Sequence, residues 1–426
     1  MSSSCRQETT PGVHRRKTMN IRSITYFMNP GVAIDTARFA QLRDFVKGAR
    51  DAFESNGYAV QSARLATVPF PLLLPNLAPD TVVAYARALE TAAADAGCSY
   101  VALGPALPDV QESYDAIPPV LAETENTFMS GVIASPATGV SLPAVRSCAR
   151  VIQEAATLDP NGFGNLYFTA LANVAPGGPF FPAAYHEGDE PCFALAMEAA
   201  GLAVQAFKEA GTLAEARQGL IERIECHART LSRIGEALSK SFGVGFNGID
   251  FTLAPFPAES ESLGTAIERL GVASVGLHGS LAGAAFIADA LDRAHYPKVG
   301  FNGLMLPVLE DSTLAKRAAE GTLSVKDLLM YSAVCGTGLD TVPLPGDTSR
   351  EALACVLLDV AALAQRLAKP LTARLMPIPG KGAGDPTTFD FPFFANSRVL
   401  AVDAAPLTGL FAGDGMFDLA PRISLR

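Results

Sequence analysis

IRSITYF, residues 22–28, opens the part of the sequence that decides the fold, and DTARFAQLRDFVKGARDAFESNG (35–57) follows it. The first segment is an apolar run typical of a buried strand, and the second repeats apolar residues at helical spacing. YAVQSARLATV (58–68), LAPDTVVAYARALETAAADAG (77–97) and SYVALGPAL (99–107) then read as a strand, a helix and a strand. This order predicts neighbouring parallel strands with helices packed against the sheet.

The same alternation continues along the chain, and helix-like segments separate most of the later strand-like runs. These runs occupy residues 130–135, 165–174, 192–197, 247–256, 273–279, 299–309, 339–345, 372–378 and 398–404. With the first three they make about twelve strand candidates, spread evenly and without a linker. The pattern favours an α/β fold that forms one large closed or nearly closed β/α barrel. A doubly wound parallel sheet is the alternative.

The beginning of the chain differs from the rest. Residues 1–18, MSSSCRQETTPGVHRRKT, are polar and carry no periodic pattern, whereas Met19 opens the first strand. We interpret residues 1–18 as a disordered tail or as the result of a start site assigned too early, with a transit peptide as the alternative. Residues 19–426 are predicted to form a single barrel domain.

Composition and charge exclude several classes of function. The 426 residues carry a formal net charge of −10, which disfavours non-specific nucleic-acid binding because that needs clustered Lys and Arg. The most apolar segment, FALAMEAAGLAVQAF (193–207), contains Glu198 and falls short of the ~20 residues of a membrane span. The seven cysteines show no CxxC pair, so neither a disulfide framework nor a structural zinc site is indicated. These features predict a cytoplasmic protein that contacts neither nucleic acid nor membrane.

Polar residues at the carboxyl ends of predicted strands are the candidate site residues, because parallel α/β folds bind their ligands there. His278 lies near the end of the predicted strand ASVGLHG (273–279), and Gly279 and Ser280 lead into the next helix. A histidine in this position can serve as a general acid, a general base or a ligand. The alternative is a histidine that only holds its loop by hydrogen bonds.

Three carboxylates are further candidates for acid–base chemistry. Glu123 lies in LAETENTF two residues before Glu125, so both side chains would face one side of an extended segment. Glu310 and Asp311 directly follow a predicted strand. The alternatives are a surface pair for the first two residues and helix caps for the other two.

Candidates for holding an anion lie in two loops. Asp347 and Thr348 follow a predicted strand, and the spacing of Thr348 and Glu351 matches a capping box, whose helix amides could bind an anion. Capping alone is the alternative role for these residues. Lys381 lies in PIPGKGAGD, where it could close over an anionic substrate, although the stretch lacks the GxxxxGK[ST] pattern of a P-loop.

His186 is the candidate metal ligand. It lies in AAYHEGDEP beside Glu187, Asp189 and Glu190, and a histidine with nearby carboxylates can hold a divalent metal. The spacing matches no local metal motif such as HExxH, so a solvated acidic loop is the alternative.

Cys335 lies near the end of SVKDLLMYSAVCG (324–336), where Val325, Leu328 and Ser332 recur at helical spacing. The cysteine would occupy the last turn of the helix, where the negative end of the helix dipole disfavours a thiolate. Buried packing is therefore favoured over a role as a nucleophile.

Several short stretches together resemble the UPF0210 family, also called DUF711. They are LAETEN, TLSRIG, IDFTLAPFP, VGLHG, LEDSTLA, CGTGLD, PGDT and GKGAGD, in this order within residues 19–404. The resemblance implies a ten-stranded β/α barrel similar to that of the pyruvate formate-lyase type of glycyl radical enzymes. It also adds weight to His278 and Cys335 as catalytic candidates and brings Arg233 of TLSRIG among the substrate-binding candidates.

The sequence departs from true glycyl radical enzymes at its end. Those enzymes end in an R-V-x-G-[FWY] block that carries the radical, and LTGLFAGDGMFDLAPRISLR (407–426) does not contain it. The comparison therefore implies a protein that is not a glycyl radical enzyme. The AAYHEGDEP loop also departs from the smaller, glycine-rich version of the family, which argues against a metal at His186.

Three functional hypotheses follow. The first is an enzyme that needs no cofactor and acts on a small anionic metabolite in the barrel mouth by lyase- or isomerase-type proton transfer. His278 would be its acid or base, one of the three carboxylates its partner, and Lys381 or helix amides would hold the anion. The second is a metal-dependent hydrolase with a divalent metal at His186 or His278. The third is a non-catalytic metabolite-binding or assembly protein. We also expect self-association into a homo-oligomer.

Overall fold

A computed structural model describes residues 19–422 of the chain. The prediction for residues 1–18 lies outside the described residues. The strands are β1 (Asn20–Met28), β2 (Ala63–Pro69), β3 (Tyr100–Gly104), β4 (Thr127–Ser135), β5 (Gly139–Ser141), β6 (Phe168–Ala172), β7 (Cys192–Glu198), β8 (Gly245–Ala254), β9 (Gly338–Pro345), β10 (Leu371–Ile378) and β11 (Met416–Phe417). The helices are α1 (Thr36–Ser55), α2 (Phe70–Leu73), α3 (Pro79–Asp95), α4 (Ile117–Glu123), α5 (Leu142–Ala156), α6 (Ala200–Glu209), α7 (Leu213–Phe242), α8 (Leu263–Arg269), α9 (Ser280–Arg293), α10 (Ser312–Glu320), α11 (Val325–Ser332) and α12 (Arg350–Leu367).

The first helix illustrates how the periodic pattern becomes packing. Asp35 caps α1 through hydrogen bonds from the backbone N–H groups of residues 37 and 38, as the sequence predicts. Phe39, Leu42, Phe45 and Phe53 are all buried on one face of this helix. They join the large apolar core that lies between the helices and the outer face of the sheet.

The sheet is mixed, with two groups of parallel strands that run in opposite directions. Its order is β8-β7-β1-β2-β3-β4-β6-β10-β9. The strands from β1 to β6 in this path are parallel to one another, and so are the pairs β7–β8 and β9–β10. Antiparallel pairing joins these groups at β1–β7 and at β6–β10. The parallel pairing predicted for the first three strands is confirmed.

Hydrogen-bonded ladders do not close this sheet within residues 19–422. The irregular segment 297–308 lies between the two end strands, β8 and β9. The backbone N–H of Ile249 in β8 donates to the carbonyl of Pro297 at 2.8 Å, and the N–H of Val308 donates to the carbonyl of Asp340 in β9 at 3.2 Å. These isolated bonds tie the segment to both ends without forming a continuous strand.

Ion pairs across the sheet require it to curve strongly. Arg22 in β1 and Arg374 in β10 both pair with the carboxylate of Glu310. Strands β1 and β10 stand five places apart in the sheet order, which corresponds to ~24 Å in a flat sheet. One carboxylate cannot span that distance, so the sheet bends until its two halves face each other.

The segment 173–191, between β6 and β7, enters the concave face, and we call it the plug segment. The hydroxyl of Thr25 in β1 donates to the carbonyl of Pro179 at 2.9 Å. Phe181 of the plug segment packs against a cluster formed by Phe27, Ala66, Ala102, Phe128, Ala184 and Ala194. Small alanine side chains on the inner face of the strands leave the room that these phenylalanine rings occupy.

Three of the predicted strands are wrong. Residues 273–279 form turns between α8 and α9, because Gly276 and Gly279 have φ values of 101° and 106°, which an extended strand does not allow. Residues 398–404 join no ladder in the described chain beyond one isolated bridge, between Arg398 and Pro386. Residues 299–309 form the irregular segment described above. Within residues 19–422, no helix combines the length and the apolar character that a membrane span requires.

Candidate functional site

A cavity of about 160 Å³ opens on the concave side of the sheet. It lies at the amino ends of β1, β2, β3 and β4, and Arg374 of the oppositely directed strand β10 also lines it. Its polar lining includes three arginines and one carboxylate, namely Arg22, Arg64, Arg374 and Glu310. Aromatic side chains form much of the rest, namely Tyr100, Phe128, Phe180, Phe181, Phe391 and Phe393.

Glu310 is held between two guanidinium groups. Its Oε2 accepts a hydrogen bond from Arg22, and its Oε1 accepts one from Nη2 of Arg374 at 2.9 Å. The side chain is almost fully buried, which by itself raises the pKa of Glu310. The positive charges of Arg22 and Arg374 outweigh this effect and hold that pKa below its usual range. Glu310 is therefore an ionised carboxylate at neutral pH and a weak base.

Arg374 makes a second buried ion pair on its other side. Its Nε donates to Oδ1 of Asp340 at 2.5 Å. Burial raises the pKa of Asp340, and the charge of Arg374 offsets this only in part. The next residue, Thr341, has a φ of 41°, and the register between β9 and β10 shifts here. A bulge with strained backbone thus turns Asp340 toward Arg374, and such strain is common at functional sites.

Arg64 differs from the other two arginines because it has no carboxylate partner within ion-pair distance in the described chain. Its Nε donates to Oγ of Ser62 at 2.9 Å. Its guanidinium carbon lies 5.6 Å from the ring centre of Tyr100 and 5.2 Å from that of Phe181. Burial and the nearby charge of Arg22 lower the pKa of Arg64 to about 9, so it stays a cation at neutral pH. The cavity therefore contains a guanidinium without a direct carboxylate partner.

Glu198 lies outside the cavity lining and adds a negative charge beside Arg22. Its carboxylate lies 3.9 Å from Arg22 and accepts hydrogen bonds from the side-chain amides of Asn20 and Gln61. Glu198 and Asp340 therefore act on the outer sides of Arg22 and Arg374. Among the groups that line the cavity itself, three cations face one anion.

Of the predicted catalytic residues, the structure brings only Glu310 to this cavity. Its neighbour Asp311 is buried and accepts hydrogen bonds from Ser262 Oγ at 2.6 Å and from the backbone N–H of Leu263 at 2.6 Å. It also accepts bonds from the N–H groups of Thr313 and Leu314, so one carboxylate caps both α8 and α10. Burial raises the pKa of Asp311. The alternative interpretation of Asp311 as a helix cap is confirmed.

His278, Gly279 and Ser280 lie in the loop before α9. His278 is exposed, and neither it nor the two residues after it line the cavity. Gly279 precedes the first residue of α9, and the Ser280 hydroxyl donates to the carbonyl of Leu277 at 2.7 Å. The catalytic role of His278 stays a prediction, but the strand end on which it was based does not exist.

Two other predicted residues are on the outer surface. Glu123 is the last residue of α4 and forms an exposed ion pair with Arg87, whose side chain is 59% exposed. Arg233 is exposed on α7. Neither side chain lines the cavity, so the structure does not bring Glu123 near Glu310.

The loop candidates for anion binding also lie outside the cavity lining. Lys381 is half-buried, and its Nζ donates to the carbonyl of Pro386 at 2.7 Å. Asp347 is exposed, whereas Thr348 is buried and its hydroxyl donates to the carbonyl of Pro345 at 2.6 Å. The residue that caps α12 is Ser349, which accepts from the N–H of residue 352, so the capping box predicted from Thr348 is wrong by one position.

Cys335 is buried in the core between the helices and the sheet, with 3% of its surface exposed. Its carbonyl and that of Ser332 accept hydrogen bonds from Nζ of Lys369. The lysine thereby satisfies carbonyl groups at the end of α11. This environment agrees with the interpretation of Cys335 as a packing residue.

His186 is buried in the plug segment. Its Nδ1 lies 4.0 Å from Sγ of Cys192, and its Nε2 has no hydrogen-bond partner in the described chain. Burial lowers the pKa of His186. Residues 19–422 contain no group of three or more His, Cys, Asp and Glu side chains that could hold a metal ion.

Arg22, Arg64 and Arg374 were not among the site residues predicted from the sequence. A signal was available, because each is the one charged residue in a strand-like stretch: IRSITYF, SARLATV and TARLMPI. Charged side chains are rarely buried unless they are paired, so an arginine in a strand buried on both faces indicates an internal polar site.

Comparison with known proteins gives one consistent family. The model described as "Uncharacterised ACR (DUF711)" matches residues 13–396. A UPF0210 protein of Desulforudis audaxviator is 33% identical over 347 residues, covering 77% of this chain and 76% of that protein. One from Oenococcus oeni is 30% identical over 361 residues, covering 81% and 80%. One from Listeria monocytogenes is 29% identical over 360 residues, covering 80% and 79%. The chain therefore belongs to the UPF0210 (DUF711) family.

Proposed function

We propose that this protein binds a small anionic metabolite in the cavity, with Arg64 as the residue that holds the negative charge. The observation that carries the proposal is the guanidinium of Arg64, which faces the cavity without a carboxylate partner in the described chain. A desolvated cation of this kind gains a strong, charge-assisted hydrogen bond when an anion enters. The volume of about 160 Å³ lies below the ~300–1,000 Å³ of pockets for drug-sized ligands and suits a small metabolite.

The proposal includes a closed β/α barrel of about ten strands formed by one domain over residues 19–426. The curvature imposed by the shared Glu310 supports closure, as do the isolated bonds of segment 297–308 to β8 and β9. The nine strands of the path and this segment together provide ten positions around the cavity. A cytoplasmic location and self-association stay predictions.

Catalysis by lyase- or isomerase-type proton transfer is the finer form of the proposal. Tyr100 and Glu310 are two groups in the cavity lining that could exchange protons with a ligand. Because the arginines keep Glu310 ionised, its role would be to orient a ligand or to stabilise developing positive charge, and the hydroxyl of Tyr100 would be the proton donor. A reaction at His278 or a metal-assisted hydrolysis at His186 stays a prediction.

A non-catalytic metabolite-binding protein is the second candidate. It is favoured by the plug segment, whose Phe180 and Phe181 place apolar side chains in the cavity lining. Such packing leaves room for recognition and provides few groups for chemistry.

The test compares ligand retention and thermal stability in two matched variants. Native mass spectrometry and melting curves with small carboxylates and inorganic phosphate would be recorded for the wild type, Arg64→Met and Arg43→Met. Arg43 is an exposed arginine on α1 and serves as the control. We expect the anion-dependent rise in Tm to disappear only in Arg64→Met. An unchanged anion response in that variant would contradict the proposal.

Turnover separates the two candidates once an acid that binds is known. Proton exchange at a C–H group of that acid, followed by NMR in D₂O, reports the proton transfer that a lyase or isomerase requires. Exchange that the wild type accelerates and Tyr100→Phe does not would support the enzyme. Binding without exchange would support the non-catalytic protein, and the same assay on His278→Ala tests the role predicted for that residue.

A further inference from the structure

The cavity has a charged part and an apolar part. This division limits the shape of the ligand as well as its charge. Arg22, Arg64, Arg374 and Glu310 belong to β1, β2, β10 and the turn that precedes α10. The apolar part is formed by Leu166, Phe180, Met305, Phe391 and Phe393. A ligand that fills both parts needs a polar head and an apolar body.

The geometry of Arg64 selects the shape of the head group. A guanidinium has five N–H groups, and Ser62 accepts the one on Nε, which leaves those on Nη1 and Nη2 without an acceptor in the described chain. The rings of Tyr100 and Phe181 flank the group. Its free edge is therefore presented as a planar fork, and a carboxylate matches this fork with two parallel hydrogen bonds.

The pairing of the other arginines limits the charge of the ligand. Arg22 and Arg374 already share Glu310, and each has a further carboxylate on its outer side, Glu198 and Asp340. A second negative group on the ligand would approach the ionised Glu310 instead of a free cation. Like charges brought together at a desolvated site are strongly unfavourable.

We propose that the ligand is a small monocarboxylate with an apolar body, with its carboxylate on Arg64 and its body against Phe391 and Phe393. This inference rests on the proposed function, because it names the class of anion that the same cavity takes. Dicarboxylates and phosphate are disfavoured by Glu310, and very short acids leave the apolar part unfilled.

The experiment is a calorimetric binding series with the full chain at pH 7. The probes are acetate, butyrate, hexanoate and benzoate, with succinate and inorganic phosphate as the competing classes. We expect Kd to fall by up to about fourfold for each methylene that enters the apolar part. Succinate has the same number of carbons as butyrate, and we expect it to bind at least about tenfold more weakly because of its second charge.

Three variants test whether Arg64 binds the carboxylate and whether Phe391 contacts the apolar body of the ligand. Arg64→Met should abolish binding of butyrate and hexanoate, whereas Arg64→Lys should keep the charge, lose the fork and bind them more weakly. Phe391→Ala should flatten the dependence on chain length and leave acetate unchanged. Phe411→Ala is its control, because Phe411 is 49% exposed and does not line this cavity. Circular dichroism confirms that each variant is folded.

The outcomes separate this inference from the proposed function. Binding that increases with chain length and requires Arg64 supports both. Binding of succinate or phosphate that requires Arg64 and is tighter than that of butyrate overturns the monocarboxylate and leaves the proposed function intact. If no probe binds in a manner that requires Arg64, both are overturned.

Discussion

Arg64 carries a charge that no acid of the described chain pairs directly, so the unliganded protein keeps it at a cost in stability. The guanidinium loses much of its hydration, and the aromatic rings of Tyr100 and Phe181 return only part of that free energy. Residues that serve ligands are often destabilising in the free protein for this reason.

The first prediction concerns this cost. We expect Arg64→Met to raise the free energy of unfolding of the unliganded protein by ~1–2 kcal/mol, because methionine fills similar space without a charge to desolvate. Urea denaturation of both proteins without added ligand measures the difference. A variant that is less stable than the wild type would mean that the arginine has a structural partner in the native state.

Glu310 has the opposite role, since it neutralises two buried cations. We expect Glu310→Gln to lower the free energy of unfolding by about 3–5 kcal/mol, because Arg22 and Arg374 would lose their shared counter-ion. Glu123→Gln is the matched control, since its ion pair with Arg87 is exposed and should contribute less than ~1 kcal/mol. Equal effects of the two substitutions in urea denaturation would contradict the central role of Glu310.

The roles of single residues were predictable from the sequence where they depend on residues nearby in the chain. Asp35 as a helix cap and Asp311 as a cap both follow from the residue type just before a helix. The contacts of Arg64 and Arg374 depend on which strands face each other across a curved sheet. That information comes from pairing between distant segments, and no local pattern carries it.

At the level of elements, Asp250 holds segment 297–308 against β8. Its carboxylate accepts hydrogen bonds from the N–H groups of Phe301 and Asn302 and from the N–H and hydroxyl of Thr252. The side chain is fully buried, and burial raises its pKa to about 6 in spite of these donors. The segment therefore depends on a carboxylate that titrates near neutral pH.

The pH dependence of stability should reveal this carboxylate. An unfolded aspartate has a pKa of about 3.9, so between that value and about 6 the folded state binds more protons than the unfolded state. The stabilisation from protonated Asp250 is complete below pH ~4 and is lost as the pH rises through about 6. We expect Asp250→Asn to remove on the order of 2 kcal/mol of this decline between pH 4 and pH 6.5.

Urea denaturation at several pH values measures how the free energy of unfolding changes with pH. This dependence separates the ionisation of Asp250 from any constant cost of the substitution. Parallel pH curves for the wild type and Asp250→Asn would show that Asp250 ionises normally in the folded protein.

Helices and strands were predictable from the sequence where the apolar periodicity matches a buried face and, for strands, a neighbouring strand is present to pair with. The alternation in residues 22–107 matches β1, α1, β2, α3 and β3 because each apolar face is buried. ASVGLHG has the apolar content of a strand, but its glycines adopt positive φ and no strand within residues 19–422 pairs with it. Composition cannot distinguish these cases, because pairing is decided by the rest of the fold.

At the level of the whole molecule, segment 297–308 lies in close backbone contact with the residues just before β9. The nearest heavy atom to a Cβ built on Gly303 of segment 297–308 would be Cα of Gly336, at 2.2 Å. Gly336 precedes β9, and its own N–H donates to the carbonyl of Leu304 at 3.1 Å. Only glycine at both positions allows the segment to approach β9 so closely.

Gly303→Ala should therefore strain the contact between segment 297–308 and the residues just before β9. We expect it to lower the free energy of unfolding by ~1–3 kcal/mol, because the new methyl group has no room and the backbones must separate. Gly415→Ala is the control, since nothing lies within 4 Å of a Cβ at that position. Urea denaturation and hydrogen exchange of β9 amides measure the effect. Exchange that is unchanged in β9 would contradict a role of this contact in holding β9 in place.

The α/β class and a sheet rich in parallel strands were predictable from the alternation of elements, whereas the two antiparallel junctions were not. β6 and β10 are distant in sequence, and nothing in either strand encodes the direction of its neighbour. The candidate site was not predictable for the same reason. Its charged residues lie together only because the sheet curves, namely Arg22, Arg64, Glu310 and Arg374.

The plug segment has a kinetic consequence. Phe180 and Phe181 of the plug segment line the cavity, whose volume of about 160 Å³ has room for one small molecule. Incoming and outgoing ligands therefore exclude each other. Occupancy will then follow simple competition for one place, and slow departure of one molecule will limit how fast the next is received.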